Sequence, residues 1–235
     1  MKQDAGLTAY DVAGRYDASY FDDLAARYSK RTRFARQRIS NVFSMLPGLD
    51  SLRIVDIGSG MGTFAIEAGR HGAKAIGIDL APAALAAAKR VAAAERATAV
   101  FVRADAAALP LPNDSVDAVI AADLTEHLDD VTLGRVLREA RRVLRSGGTL
   151  VLYTPNREHV FERLRERGIL RDADPSHIGM RSERELADAV SSAGLEVMAI
   201  RRLPSHLPLW NLLEKALGSR VPLLARRIGL VAREA

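Results

Sequence analysis

The chain has no cysteine among its 235 residues. That excludes disulfides, thiolate metal sites and a cysteine nucleophile, and with the last of these the covalent route to C5 of cytosine. It also fits a reducing compartment. The first residues, MKQDAGLTAYDVAGRYD, hold no apolar leader segment, and nowhere does a run of about 18 uncharged apolar residues occur. A cytoplasmic protein without a membrane span is the expectation. Aromatic residues are few and uneven: one tryptophan, with four of the five tyrosines and three of the six phenylalanines in the first 45 residues. No internal repeat and no linker is found.

What is present suits one α/β core. Hydrophobic residues make up 48% of a chain long enough for one domain with additions. The net charge of +5 allows nucleic acid, an anionic membrane surface or an acidic substrate as partner and decides among none of them. Apolar runs bounded by turn residues alternate with helical patterns, as in βαβ units on a mostly parallel, doubly wound sheet of Rossmann-like type. Strands are expected at 53–58, 74–79, 99–105, 116–123, 148–154, 195–201 and 228–233, with helices near 63–70, 82–95, 132–144 and 182–193. Residues 1–50 read as an N-terminal helical cap and 51–235 as the main domain.

After the first strand the chain reads IVDIGSGMGTF, and Gly58, Gly60 and Gly62 let a tight strand-to-helix turn approach a ligand closely. Ser59 lies between them. A dinucleotide fingerprint wants glycine where Thr63 stands, which weakens NAD, while Asp79 closes the second strand at the spacing of a ribose-binding acid. A tight turn without ligand is the plainer alternative. Asp56 and Asp105 sit at the same expected sheet edge, and three acids at one crevice suit a cation, such as the sulfonium and ammonium of S-adenosylmethionine, better than a pyrophosphate. Each acid taken singly also reads as a solvated strand end.

Three segments carry a resemblance: IVDIGSGMGTFAIEAGRHGAKAIGIDLAP, FVRADAAALPLPNDSVDAVIAADLTEHL and LREARRVLRSGGTLVLYTPN. In order and content they resemble class I S-adenosylmethionine-dependent methyltransferases, and within these the group that includes the ubiquinone-biosynthesis O-methyltransferases. The resemblance implies a seven-stranded sheet with strand 7 antiparallel between strands 5 and 6 and helices on both faces. It implies S-adenosylmethionine as cofactor. Residue by residue, the Gly58–Gly62 loop would cradle the methionine part and Asp79, followed by Leu80, would bind the ribose hydroxyls. Asp105 and the Ala106 N–H would meet the adenine, and Asp123 and Leu124 would flank the methionine end.

His127, in DLTEHL, is the best-placed candidate base for a hydroxyl acceptor, with Glu126 beside it; a histidine that merely holds its loop is the alternative. The same group gives Asp123, Glu126 and His127 a second reading as a divalent metal site. His177 is a candidate for the substrate side, or a loop histidine bonded to backbone, and His159 is expected on the same side. Tyr16, Tyr20, Tyr28 and Arg31 are candidate lid residues, or simply core packing. Residues 204–227 form an insert with the sole tryptophan, Trp210, and a surplus of three positive charges from Lys215, Arg220, Arg226 and Arg227 over Glu214. A lid for an anionic apolar substrate, a peripheral membrane contact, a homodimer face and a buried amphipathic pair all fit it.

The leading expectation is a methyltransferase of small-molecule biosynthesis, acting on a hydroxyl or amine of a small or lipid-like metabolite. An RNA methyltransferase, a nonenzymatic S-adenosylmethionine-binding protein and an NAD(P)-dependent oxidoreductase are the alternatives. Nucleic acid is disfavoured because no Asn/Asp-Pro-Pro-aromatic motif follows the fourth strand.

Overall fold

The computed structural model describes residues 16–170, 174–203 and 221–234. Seven strands form one sheet in the order β3-β2-β1-β4-β5-β7-β6. They are β1 (Arg53–Ile57), β2 (Lys74–Asp79), β3 (Ala99–Arg103), β4 (Val116–Ala122), β5 (Leu144–Pro155), β6 (Glu196–Leu203) and β7 (Arg227–Arg233). The first five pair in parallel, while β7 runs antiparallel to both β5 and β6. The sheet is therefore mixed in the sense the resemblance implied.

Among the described residues seven α-helices accompany it: α1 (Ala18–Ser29), α2 (Arg33–Phe43), α3 (Thr63–Arg70), α4 (Pro82–Ala94), α5 (Asp130–Val143), α6 (Val160–Glu166) and α7 (Glu183–Ser192). Central strands are buried on both faces, so their sequences read as apolar runs and alternate residues serve two cores. Ile54, Ala118, Ile120, Val151 and Tyr153 pack with α1 to α4, whereas Val55, Ile57, Val119, Leu150 and Leu152 pack with α5 and α7. Local signals agree with this. Pro82 opens α4 where its missing N–H is no loss, and Ser182 with Glu185 forms a reciprocal capping box on α7.

Strand ends differ from the sequence expectation in two instructive places. β4 stops at Ala122 because Asp123 takes a left-handed backbone, φ 54°, which ends the ladder and turns its side chain away from the strand repeat. β5 begins four residues earlier than expected, at Leu144, which pairs with Val116 before the register shifts. No helix among the described residues is long and apolar enough to cross a membrane.

Candidate active site

The chain order reverses between β1 and β4, and a crevice at the carboxyl ends of the strands there is the favoured ligand position of an open α/β sheet. A cleft of about 290 Å³ occupies that place, lined by residues that follow β1, β2, β3 and β4 and by the start of β7. Gly58, Gly60 and Gly62 all have left-handed backbones, with φ of 65°, 53° and 82°. They do different things. A Cβ on Gly58 would lie 2.7 Å from Leu124, and one on Gly62 would lie 2.6 Å from Phe101, so these two serve packing. A Cβ on Gly60 would meet only Phe21, at 3.8 Å, so here the missing side chain leaves open space in the cleft.

Asp79 fixes this loop. Its carboxylate accepts from the Gly60 N–H and the Ala81 N–H, both at 2.8 Å, and burial raises its pKa against those bonds. Leu80, Asp105 and Ala106 also line the cleft, Asp105 accepting from the Ala107 N–H at 2.8 Å. The expectation that Asp56 shares the crevice needs correction. Its carboxylate is 1% exposed, accepts from Ala65 of α3 at 3.3 Å, and lies beneath the loop rather than on the cleft wall. Burial pushes its pKa up to about 7.

Asp123 is the junction of the site. Arg38 of α2 donates to one carboxylate oxygen at 2.5 Å and Arg227 of β7 donates to the other. Burial would raise this carboxyl, but Arg227 and then Arg38 hold it below the usual range. With both oxygens engaged by guanidinium groups, Asp123 is not free to join Glu126 and His127 as a metal ligand. Among the described residues, the side-chain ligand atoms that do come together, within 4.8 Å of one another, belong to Glu126, His127 and His177.

Thr125–His127 forms a single 3-10 turn after β4. Glu126 is buried, accepts from Thr154 at 3.0 Å, and has its pKa raised by burial and then by Asp123. His127 places Nδ1 3.1 Å from the Ser176 carbonyl. A carbonyl only accepts, so Nδ1 carries the proton and Nε2 is left as an acceptor. His177 stacks edge-on to His127 at 5.0 Å and lines the cleft; burial first and His127 second lower its pKa. Tyr16 joins the same cluster, its hydroxyl 2.6 Å from Ser176 Oγ, which in turn donates to Asp174 at 2.6 Å. Tyr20 lies against Tyr16 at 4.5 Å on the cleft wall.

Sequence reasoning missed Arg181. Its buried guanidinium donates to the carbonyls of Thr125, Leu128 and Gly179 at 2.7–2.9 Å and to Asp130 at 2.7 Å, tying the 3-10 turn to the loop that carries His177. Gly179 is required in that loop, because a Cβ there would sit 1.9 Å from the Leu128 carbonyl. Arg38 was also missed, and Arg227 was assigned to the insert although it opens β7 and lines the cleft. Two lid candidates lie elsewhere: Tyr28 is buried and, with Arg31, binds Glu67 of α3 at 2.8 Å. His159 is buried as the N-cap of α6 rather than facing the cleft. Trp210, Lys215 and Arg220 lie outside the described residues.

The cleft fits S-adenosylmethionine. Gly60 leaves room for a close ligand, and Ser59 Oγ is buried on the cleft wall with no hydrogen-bond partner among the described residues. Asp79 and Asp105 offer carboxylates on one side of that space, while Arg38 and Asp123 offer opposite charges on the other. A nucleoside joined to a zwitterionic amino acid matches this division.

Residues 54–148 match the family model described as a methyltransferase domain. The chain is 33% identical over 144 residues to a demethylmenaquinone methyltransferase of Thermus thermophilus, covering 60% of this chain and 61% of that protein. It is 31% identical over 158 residues to a demethylmenaquinone methyltransferase of Deinococcus radiodurans, covering 64% of this chain and 61% of that protein. The match thus spans about three fifths of the length of these relatives. Among solved structures, a possible histamine N-methyltransferase of Thermotoga maritima superposes with a TM-score of 0.67 at 21% identity, over 97% of this chain and 100% of that one. Residues 54–148 are thus similar to a methyltransferase domain, and the sheet order agrees with that of the class I S-adenosylmethionine-dependent methyltransferases which the sequence resembles.

Proposed function

We propose that the protein transfers the methyl group of S-adenosylmethionine to a hydroxyl or amine of a small, lipid-like metabolite. The observation that carries this reading is the division of one cleft into two halves. One half holds the glycine loop, Asp79 and Asp105; the other is walled by Tyr16, Tyr20, Leu128 and Pro155 and contains His127.

When bound, the cofactor supplies an electrophilic methyl carbon on a sulfonium. The chain's task is then alignment and proton removal, and alignment supplies much of the rate in a displacement of this kind. Asp79 would hold the ribose hydroxyls, Asp105 and Ala106 the adenine, and Arg38 with Asp123 the amino-acid tail. His127, held by Ser176 with Nε2 as acceptor, would take the proton of a hydroxyl acceptor. Glu126, buried and bonded to Thr154, supports the turn from below. Tyr16 and Tyr20 close the cleft from the side of α1.

Two measurements test the proposal. S-Adenosylhomocysteine should stabilise the protein by roughly 2.7 kcal/mol at about 100 times its dissociation constant, and NAD should not. Labelled S-adenosylmethionine with a cell extract should yield a product heavier by one methylene. Stabilisation by NAD alone would return the chain to the oxidoreductase reading.

A second reading of the acceptor half rests on the Glu126, His127 and His177 cluster. Two imidazoles and a carboxylate suit a divalent ion, which when bound would acidify a phenol or catechol. Loss of turnover with chelator and its return with magnesium or zinc would favour this reading over His127 as a simple base.

A further inference from the structure

We infer that the methyl acceptor is an anion and that Arg227 binds its carboxylate or phosphate group. The inference rests on the methyltransferase reading above and names the substrate class of that same site.

Arg227 opens β7 at the carboxyl edge of the sheet and lines the cleft. One terminal nitrogen is bonded to Asp123, and no hydrogen bond from Nε or the second terminal nitrogen is found among the described residues. Its side chain is 20% exposed, so these donors belong to a mostly desolvated guanidinium beside the cleft. The second guanidinium on Asp123, that of Arg38, also keeps its buried Nε without a hydrogen-bond partner among the described residues.

The charges do not balance. Two guanidinium groups face one carboxylate at Asp123. Glu126, the next acid, is taken up by Thr154, and Asp79 and Asp105 accept from backbone N–H groups beside the glycine loop. Asp174 is spent on Ser176 and lies 3.9 Å from His177. Bound S-adenosylmethionine does not close the gap, because its sulfonium and ammonium outnumber its one carboxylate. A buried surplus cation is costly unless an anion joins it. Arg227 stands opposite Pro155 in the pairing of β5 with β7, and Pro155 walls the acceptor half of the cleft. Apolar walls from Tyr16, Leu128 and Pro155 would take the acceptor's carbon skeleton.

The test uses protein saturated with S-adenosylhomocysteine and three probes of similar shape: 4-phenylbutyrate, 3-phenylpropyl phosphate and the neutral 4-phenylbutyramide. Calorimetry should show at least one anion binding tenfold or more tighter than the amide, and the tighter anion identifies the headgroup. Arg227→Gln should erase that preference, and Arg227→Lys should keep part of it. Both variants should bind S-adenosylhomocysteine within about threefold of the parent. No anion preference in the parent, or a preference that survives in a folded Arg227→Gln protein, overturns the inference and leaves the methyltransferase reading intact. A tenfold or greater loss of S-adenosylhomocysteine affinity in both variants, with 5′-methylthioadenosine affinity unchanged, would assign Arg227 to the cofactor's carboxylate and overturn it too. Failure of the parent to bind S-adenosylhomocysteine at all would remove the reading on which the inference stands.

Discussion

Arg38 and Asp123, 85 residues apart in sequence, meet at 2.5 Å and join the N-terminal helices to the end of β4. Both side chains are mostly buried, at 15% and 24% exposure, so losing one partner strands the others. Asp123→Asn leaves two guanidinium groups facing a neutral amide and should destabilise the fold by roughly 3 kcal/mol. Arg38→Met should cost less, because Arg227 still satisfies the carboxylate. Urea unfolding of both single variants and the double variant measures the coupling. Simple additivity would mean that the pair contributes nothing beyond its separate contacts.

The three glycines of the loop should separate in the same kind of experiment. Gly60→Ala places a methyl group in open cleft space, at a left-handed position that costs an alanine roughly 1 kcal/mol. Its main effect should be weaker S-adenosylhomocysteine binding. Gly62→Ala drives a Cβ against Phe101 at 2.6 Å, in the core between α3 and β3, and should lower the melting temperature markedly. Equal losses of stability in the two variants would argue that Gly60 serves the turn and not a ligand.

His127→Ala should lower kcat by about 10² or more if the imidazole removes a proton, with S-adenosylhomocysteine affinity unchanged. Arg181→Met should reduce kcat as well, because it frees the Thr125, Leu128 and Gly179 carbonyls that hold the turn. The two differ in one readout. Imidazole added to the buffer should restore part of the activity of His127→Ala, whereas it should leave the Arg181→Met rate unchanged. Full activity in His127→Ala would assign the imidazole to holding Ser176.

The division between what the sequence announced and what it hid follows from the range of the interactions. Gly58, Gly60, Gly62 and Asp79 are legible because a strand, a tight turn and a helix are local events, and the acid closes the next strand at a fixed spacing. Asp123 was legible as a residue but not in its partners, since nothing near Arg38 or Arg227 in the sequence marks either as its counter-ion. Arg227 reads as one more basic residue of the insert until antiparallel pairing with β5, where it stands opposite Pro155, carries it to the cleft. Arg181 is hidden for a related reason: its partners are backbone carbonyls, which leave no trace in side-chain patterns. Asp56 misled because a carboxylate next to a glycine loop looks the same in sequence whether it faces the ligand or the helix behind it.

That buried carboxylate gives the last prediction. In the unfolded chain Asp56 titrates near the ordinary aspartate value of about 3.9, and in the fold burial moves it up to about 7. Between these values the folded protein binds more protons than the unfolded one, so the Asp56 contribution is fully present at low pH and is lost as pH rises toward 7. A shift of this size corresponds to stability on the order of 4 kcal/mol. His159 acts in the opposite sense: burial lowers its pKa to about 4, so its contribution fades as pH falls. The slope of the parent protein is therefore a difference of two opposed terms, and Asp56→Asn isolates one of them. The asparagine keeps an acceptor for the Ala65 N–H without an ionisable group. Relative to the parent, the variant should be less stable at pH 5 than it is at pH 8 by urea midpoint, and the gap should close or reverse as pH rises. A parent-to-variant difference that is flat across this range would show that Asp56 is ionised throughout, with the Ala65 and Phe64 N–H groups and Arg38 offsetting its burial.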